Sequence, residues 1–216
     1  MPALAGAGRR SDMRPDCSVV TSAPVDRVEH EHRRSDLLTV IRERGLVQFE
    51  EPRELSSGEL SRDFIDAKRA LAAGRDLRLA CRVIVDSIDL LGITYDAVGG
   101  LTLGADQFAH GIVTYLDDDR EWFVVRKQPK GRGTNQLVEG AVLGPGSKVL
   151  LVDDIVTTGG SIQQAYHQVN GTGSTVVAAS TLVDRGEVAG RFFESIGVPY
   201  VPVFTYHDLG IDPVGV

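Results

Sequence analysis

Apolar residues in this chain fall into two alternating patterns. Val149-Leu150-Leu151-Val152 and the stretch from Ser174 to Val183 are nearly continuous apolar runs, which read as strands buried on both faces in the middle of a parallel sheet. Asp96-Ala97-Val98 leading into glycines, Trp122-Phe123-Val124-Val125, and Val201-Pro202-Val203-Phe204-Thr205 read as further strands. Between the strands, apolar positions recur by threes and fours. Leu37, Leu38 and Ile41 mark a helix from about Val28 to Arg44, with Gly45 as its stop, and Leu77, Cys81, Ile84, Ile88 and Leu91 mark a long one from about Asp76. Helices also follow through Phe108 and Ile112, through Ile162, Ala165, Tyr166 and Val169 as far as Asn170-Gly171, and from Glu187 to Ile196. Leu55 to Lys68 reads as a turn between two short extended pieces. Strands alternating with amphipathic helices predict one α/β domain, a central parallel sheet flanked by helices, with function at the C-terminal edge of the strands. Residues 1–27 show no period and read as a disordered leader, which leaves 28–216 for the domain.

Composition narrows the partners. The 216 residues suffice for one well-buried domain, and a formal net charge of −7 argues against a general nucleic-acid or membrane-surface role. Any anion site must therefore be built locally. Cys17 and Cys81 are the only cysteines, so no disulfide framework is expected and a reducing cytoplasm fits. No apolar run approaches twenty residues, and Arg9, Arg10 and Arg14 precede no apolar segment, so neither membrane spanning nor secretion is expected. His30 and His32 are expected as a solvated pair at a frayed helix start. His110, His167 and His207 stand singly, without metal-ligand spacing.

The chemistry concentrates after the first buried strand. Asp153 and Asp154 end it, Ile155-Val156 follow, and Thr157-Thr158-Gly159-Gly160-Ser161 lead into the next helix. Glycines let a backbone approach a ligand closely, so amide N–H groups at a helix start converge on one anion, a phosphate cradle. Adjacent carboxylates repel phosphate and suit a neutral polyol or the hydration shell of a divalent cation. A sugar phosphate satisfies both halves. A plain turn with sheet-edge acids is the alternative; a nucleoside triphosphatase would need a Gly-Lys pair, which the chain lacks.

Two more loops suit anions. Gly99-Gly100-Leu101-Thr102-Leu103-Gly104-Ala105-Asp106 is a strand ending in a glycine-rich turn, where N–H groups can meet an anion or merely connect strand to helix. Arg126-Lys127-Gln128-Pro129-Lys130-Gly131-Arg132-Gly133 holds four cations in seven residues among Gly and Pro, a mobile basic loop able to close over a charged leaving group. Arg185 follows Asp184 at a strand end, where pairing with its neighbour is the common fate.

Together, residues 148–161, the segment from Leu55 to Asp66, the basic loop with Leu137-Val138-Glu139-Gly140, and Asp184-Arg185 resemble the orotate phosphoribosyltransferases, of the type I phosphoribosyltransferase family. The resemblance runs from about residue 30 to the end. It implies the type I phosphoribosyltransferase-like fold with a small N-terminal hood, mainly from 28–70. It also implies transfer from phosphoribosyl diphosphate (PRPP) to orotate in pyrimidine biosynthesis, with Mg2+, in a homodimer that shares its active sites. By the same resemblance Asp153 and Asp154 hold the ribose hydroxyls and residues 155–161 complete the PRPP motif, with Thr157 to Ser161 on the 5′-phosphate. Gly100 and Leu101 lie at the pyrophosphate; Arg126, Lys127, Lys130 and Arg132 close over it, Lys130 and Arg132 catalytically and from the other subunit. Phe64, Thr157 and Arg185 serve orotate, Arg185 through its carboxylate. Mg2+ arrives with PRPP, with Asp154 as its candidate protein ligand. Three positions depart from the family's familiar form: Ser56 and Leu103 stand where many members have lysine, and Arg132 replaces a histidine. A transferase for another base and a PRPP-sensing regulator without turnover stay open as alternatives.

Overall fold

The computed structural model describes residues 25–55, 57–128 and 137–215. The expected leader lies almost wholly outside them. Asp26 starts the first helix, α1 (Arg27–Val40), by accepting N–H donors from Val28 at 2.8 Å and Glu29 at 3.4 Å. A single π-helical turn, Ile41–Gly45, then hands the chain to a hairpin of β1 (Leu46–Glu54) and β2 (Leu60–Ile65). Asp66 caps a short helix, α2 (Ala67–Ala70), and α3 (Gly74–Asp89) follows.

The remaining elements alternate strand and helix, except that three strands follow one another between the first and second of their helices. They are β3 (Ala97–Leu101), α4 (Asp106–Leu116), β4 (Glu121–Val125), β5 (Val138–Gly140), β6 (Lys148–Val156), α5 (Gly160–Asn170), β7 (Thr175–Asp184), α6 (Val188–Ser195), β8 (Tyr200–Thr205) and α7 (Tyr206–Leu209). Six strands form one sheet in the order β5-β4-β3-β6-β7-β8. Five are parallel, whereas β5 pairs with β4 antiparallel and closes one edge. At three residues, β5 is too short to announce itself by period.

Side chains of β6 divide the core. Leu150 and Val152 join the cluster under α3 and α4, with Ile84, Ile88, Phe108 and Ile112, while Val149 and Leu151 join Phe123, Ile162, Val169 and Phe193 on the other face. Burial on both faces is why this strand lacks polar alternation. Within 28–70 the two parts behave differently: α1 and the π-helical turn after it pack Leu37 and Ile41 into the core, and the hairpin forms a separate two-stranded sheet.

The expected solvated histidine pair is corrected by this packing. His32 is exposed, but His30 is buried, with Nε2 3.5 Å from Ser87 Oγ and Nδ1 3.9 Å from Asp86. Docking of α1 on α3 places it there.

Candidate active site

The site begins where β3 and β6 part. Their pairing stops at Gly99 and Leu151, yet β6 continues along β7 as far as the pairing of Val156 with Asp184. From β3 the chain moves outward through α4 to β4, and from β6 it moves the opposite way through α5 to β7. This is the switch point of an open α/β sheet, where strand ends leave a crevice for a ligand.

Asp153 and Asp154 stand on its β6 wall. Asp153 is 4% exposed; its Oδ1 accepts the Asp154 N–H at 2.9 Å, and Asp154 Oδ1 accepts the Ile155 N–H at 2.8 Å. Burial, and then repulsion from the Asp154 carboxylate, push the Asp153 carboxyl well above the usual carboxylate range. Asp154 is paired with Lys68 Nζ, which reaches over from α2. On the β3 side the turn of residues 102–105 presses down on both acids. A Cβ at Gly104 would lie 2.1 Å from Asp153 Oδ1 and 2.6 Å from Asp154 Oδ1, so any other residue there would have to displace both carboxyl groups.

The phosphate cradle follows without a break. Gly159 has φ +76°, the left-handed region, and turns the chain into α5, whose start carries no side-chain cap. The first amides of α5 are therefore left for a ligand. Asp153, residues 155–162 and Ser57 of the hairpin enclose a cavity of about 230 Å³, and Ser57 Oγ is buried without a partner among the described residues. Two larger grooves, of about 650 Å³ between α3 and α4 and about 400 Å³ beside β5, contain neither the acid pair nor the cradle.

Other expected site residues are placed as follows. Gly100 and Leu101 are buried at the end of β3, leaving backbone as their means of contact. The base of the basic loop is fixed: the Arg126 N–H donates to Leu137 O at 2.8 Å, Arg126 Nη1 to Glu139 at 3.2 Å, and Gln164 of α5 to Lys127 O at 3.2 Å. Lys130 and Arg132 lie outside the described residues, as does Ser56. Leu103 is 69% exposed on the turn.

Arg185 is 1% exposed and joins the sheet to the hairpin. Its Nη1 donates to Asp63 O at 2.8 Å, and its Nη2 to Ser61 Oγ at 2.9 Å and Asp212 O at 3.4 Å, while Nε has no partner among the described residues. Desolvation lowers its pKa, opposed by the nearby Asp63 and Asp212 carboxylates. Alternation along β2 turns Ser61, Asp63 and Ile65 inward and Phe64 outward, so Phe64 lies on the hairpin's other face, 43% exposed. Lys68 and Asp63 carry the geometry without having been given a role from the sequence, while Ser61 and Gly104 lay in segments that it marked.

Comparison with known proteins sets the class: residues 70–191 match the family model of the phosphoribosyl transferase domain. The orotate phosphoribosyltransferase of Pyrococcus abyssi is 35% identical over 176 residues, spanning 82% of this chain and 94% of its own. That of Corynebacterium glutamicum is 37% identical over 179 residues, spanning 83% and 95%. The crystal structure of Mycobacterium tuberculosis H37Rv orotate phosphoribosyltransferase in complex with PRPP superposes with a TM-score of 0.67 at 34% identity, covering 83% of this chain and 99% of that one. The chain belongs to the orotate phosphoribosyltransferase family.

Proposed function

We infer that the chain performs its family's reaction, in which orotate and PRPP give orotidine 5′-phosphate and pyrophosphate, a step of pyrimidine biosynthesis. The observation that carries it is the acid pair at the sheet's switch point, Asp153 buried and Asp154 half-buried, running directly into an uncapped helix start. Asp153 and Asp154 accept hydrogen bonds from the ribose hydroxyls, and Thr157 to Ser161 donate amides to the 5′-phosphate. As pyrophosphate departs, positive character builds on the ribose carbon and an orotate nitrogen captures it. The protein's part is positioning and charge stabilisation. Arg126, Lys127, Lys130 and Arg132 gather about the pyrophosphate, beside the Gly100 and Leu101 backbone. Thr157 and Arg185 serve orotate, with Nε as the Arg185 donor still without a partner.

The acid pair fits Mg2+ carried in by the substrate. Two carboxylates at a crevice suit a cation that keeps most of its ligands from water and phosphate, and among the described residues no group of three His, Cys, Asp or Glu could hold a metal alone. When bound, the ion neutralises diphosphate charge and eases its departure. Asp154, bordering the crevice, is the protein's candidate ligand. No described helix is long and apolar enough to cross a membrane, and the described cysteine, Cys81, is a buried free thiol, which supports a cytoplasmic enzyme.

An assay of Mg2+- and PRPP-dependent consumption of orotate, uracil and purine bases, run side by side, tests the reaction. Orotate alone should disappear at a useful rate; equal use of uracil would transfer the site to another base, and PRPP binding without turnover would make the chain a sensor. The shared homodimer rests on the family's use of loop cations across subunits. Mixing a chain carrying Asp153→Asn and Asp154→Asn with a Lys130→Ala chain should restore activity, because both lesions then fall in one site. Proven subunit exchange without recovery refutes sharing.

A further inference from the structure

Lys68 is the cation that the described structure pairs with the acid pair. Its backbone is held: Ala67 and Ala70 are buried, the Asp66 side chain accepts the Arg69 N–H at 2.9 Å, and the Asp66 N–H donates to Gly45 O at 2.9 Å. Its side chain is not, since 52% of it is exposed and the ammonium rides on a flexible four-carbon stem. Facing it is the turn Thr102-Leu103-Gly104-Ala105, packed against the same two carboxylates and carrying no cation.

A diphosphate brought to that turn would meet the acid pair within a few ångströms, and negative charge on the pair repels it, more strongly in buried surroundings. Lys68 already stands at this boundary, on an oxygen that substrate must reclaim. We propose that Lys68 is a diphosphate ligand held in reserve on Asp154. Once the ribose hydroxyls engage the acid pair, Nζ leaves Asp154 and pairs with the diphosphate of PRPP or with free pyrophosphate. The proposal rests on the reading of Asp153 and Asp154 as ribose acceptors.

Calorimetry with Mg2+ present can separate the two, titrating PRPP, pyrophosphate and ribose 5-phosphate into the unmodified protein, Lys68→Met and Lys68→Arg. Methionine keeps most of the stem, and the site is at the surface, so matched melting curves are expected. Loss of one charge-assisted hydrogen bond should weaken PRPP and pyrophosphate roughly tenfold or more in Lys68→Met. Ribose 5-phosphate should be bound as before, or slightly tighter because the acid pair is vacated, and Lys68→Arg should keep most of the diphosphate affinity. Undiminished pyrophosphate binding by Lys68→Met would overturn the proposal and make Lys68 a plug. Equal loss of all three ligands would also overturn it and reduce Lys68 to a support of the hairpin. Failure of the unmodified protein to bind either ribose ligand would overturn the ribose reading itself, a result distinct from both.

Discussion

Asp86 and Asp153 are both aspartates with almost no exposed surface, 2% and 4%, and the chain treats them in opposite ways. Asp86, on α3, is supplied with cations: Arg33 of α1 reaches it through Nη2 at 2.9 Å and Nε at 3.1 Å, and Arg82 one turn earlier reaches it at 2.9 Å. Two arginines ion-pair with this one carboxylate, and the arrangement pins α1 to the domain. Asp153, on β6, accepts one backbone N–H and has another carboxylate as its neighbour, while the nearest cation pairs with Asp154 instead. A buried acid that is fully partnered is a structural device; one left short of partners stores a demand that a ligand can meet.

Exchanging the lesions is the severest trial of that contrast. Asp153→Asn with Asp154→Asn should cost PRPP affinity by roughly a hundredfold or more, given the loss of both acids as ribose acceptors, while the sheet melts at no lower a temperature. Asp86→Ala should do the reverse. Removing one partner of a buried ion pair costs about 3 kcal/mol, toward the low end because Arg82 is 40% exposed and can be rehydrated. Urea unfolding would read this loss, and PRPP affinity per folded molecule should be unchanged. A stability loss in the acid-pair variant equal to that of Asp86→Ala would erase the distinction.

The sequence carries one side of this comparison better than the other. The acid pair, the cradle and their strand and helix are contiguous, so local pattern alone places the whole of residues 148–170. Their partners are not local: Lys68 lies 86 residues from Asp154, and Arg185 lies 122 from Asp63. No spacing rule connects such pairs before the fold does. The burial of His30 was legible in principle, since it precedes Leu37 by seven residues and so shares its helix face. Two histidines among charges hid that face. Antiparallel β5 was invisible as a strand for a different reason, being too short for any period to develop. The basic loop stays a sequence feature alone at Lys130 and Arg132, outside the described residues.

Proton linkage gives a subtler and smaller test. The folded Asp153 carboxyl holds its proton to higher pH than an unfolded aspartate, whose value is about 4. Between those two values the folded chain binds more protons than the unfolded one, so stability falls as pH rises, by at most about 1.4 kcal/mol per pH unit for one proton. Asp184, raised chiefly by burial, adds a slope of the same sign. Asp208 behaves oppositely: burial works to raise it, but the Thr205 N–H and Arg34 outweigh burial and hold it low. Its stabilising contribution is complete above the unfolded value and fades only as pH falls below about 4, outside the window. Cys81, pushed up to about 12 by burial, has its own window at alkaline pH. Asparagine at 153 can still accept the Asp154 N–H, but it neither titrates nor repels Asp154. The stability of Asp153→Asn relative to the unmodified protein should therefore climb steadily from pH 5 to pH 8 in ligand-free urea titrations. Parallel curves over that range would mean that Asp153 is ionised at no cost in the free protein, and the unmet demand attributed to it would have to be sought elsewhere in the crevice.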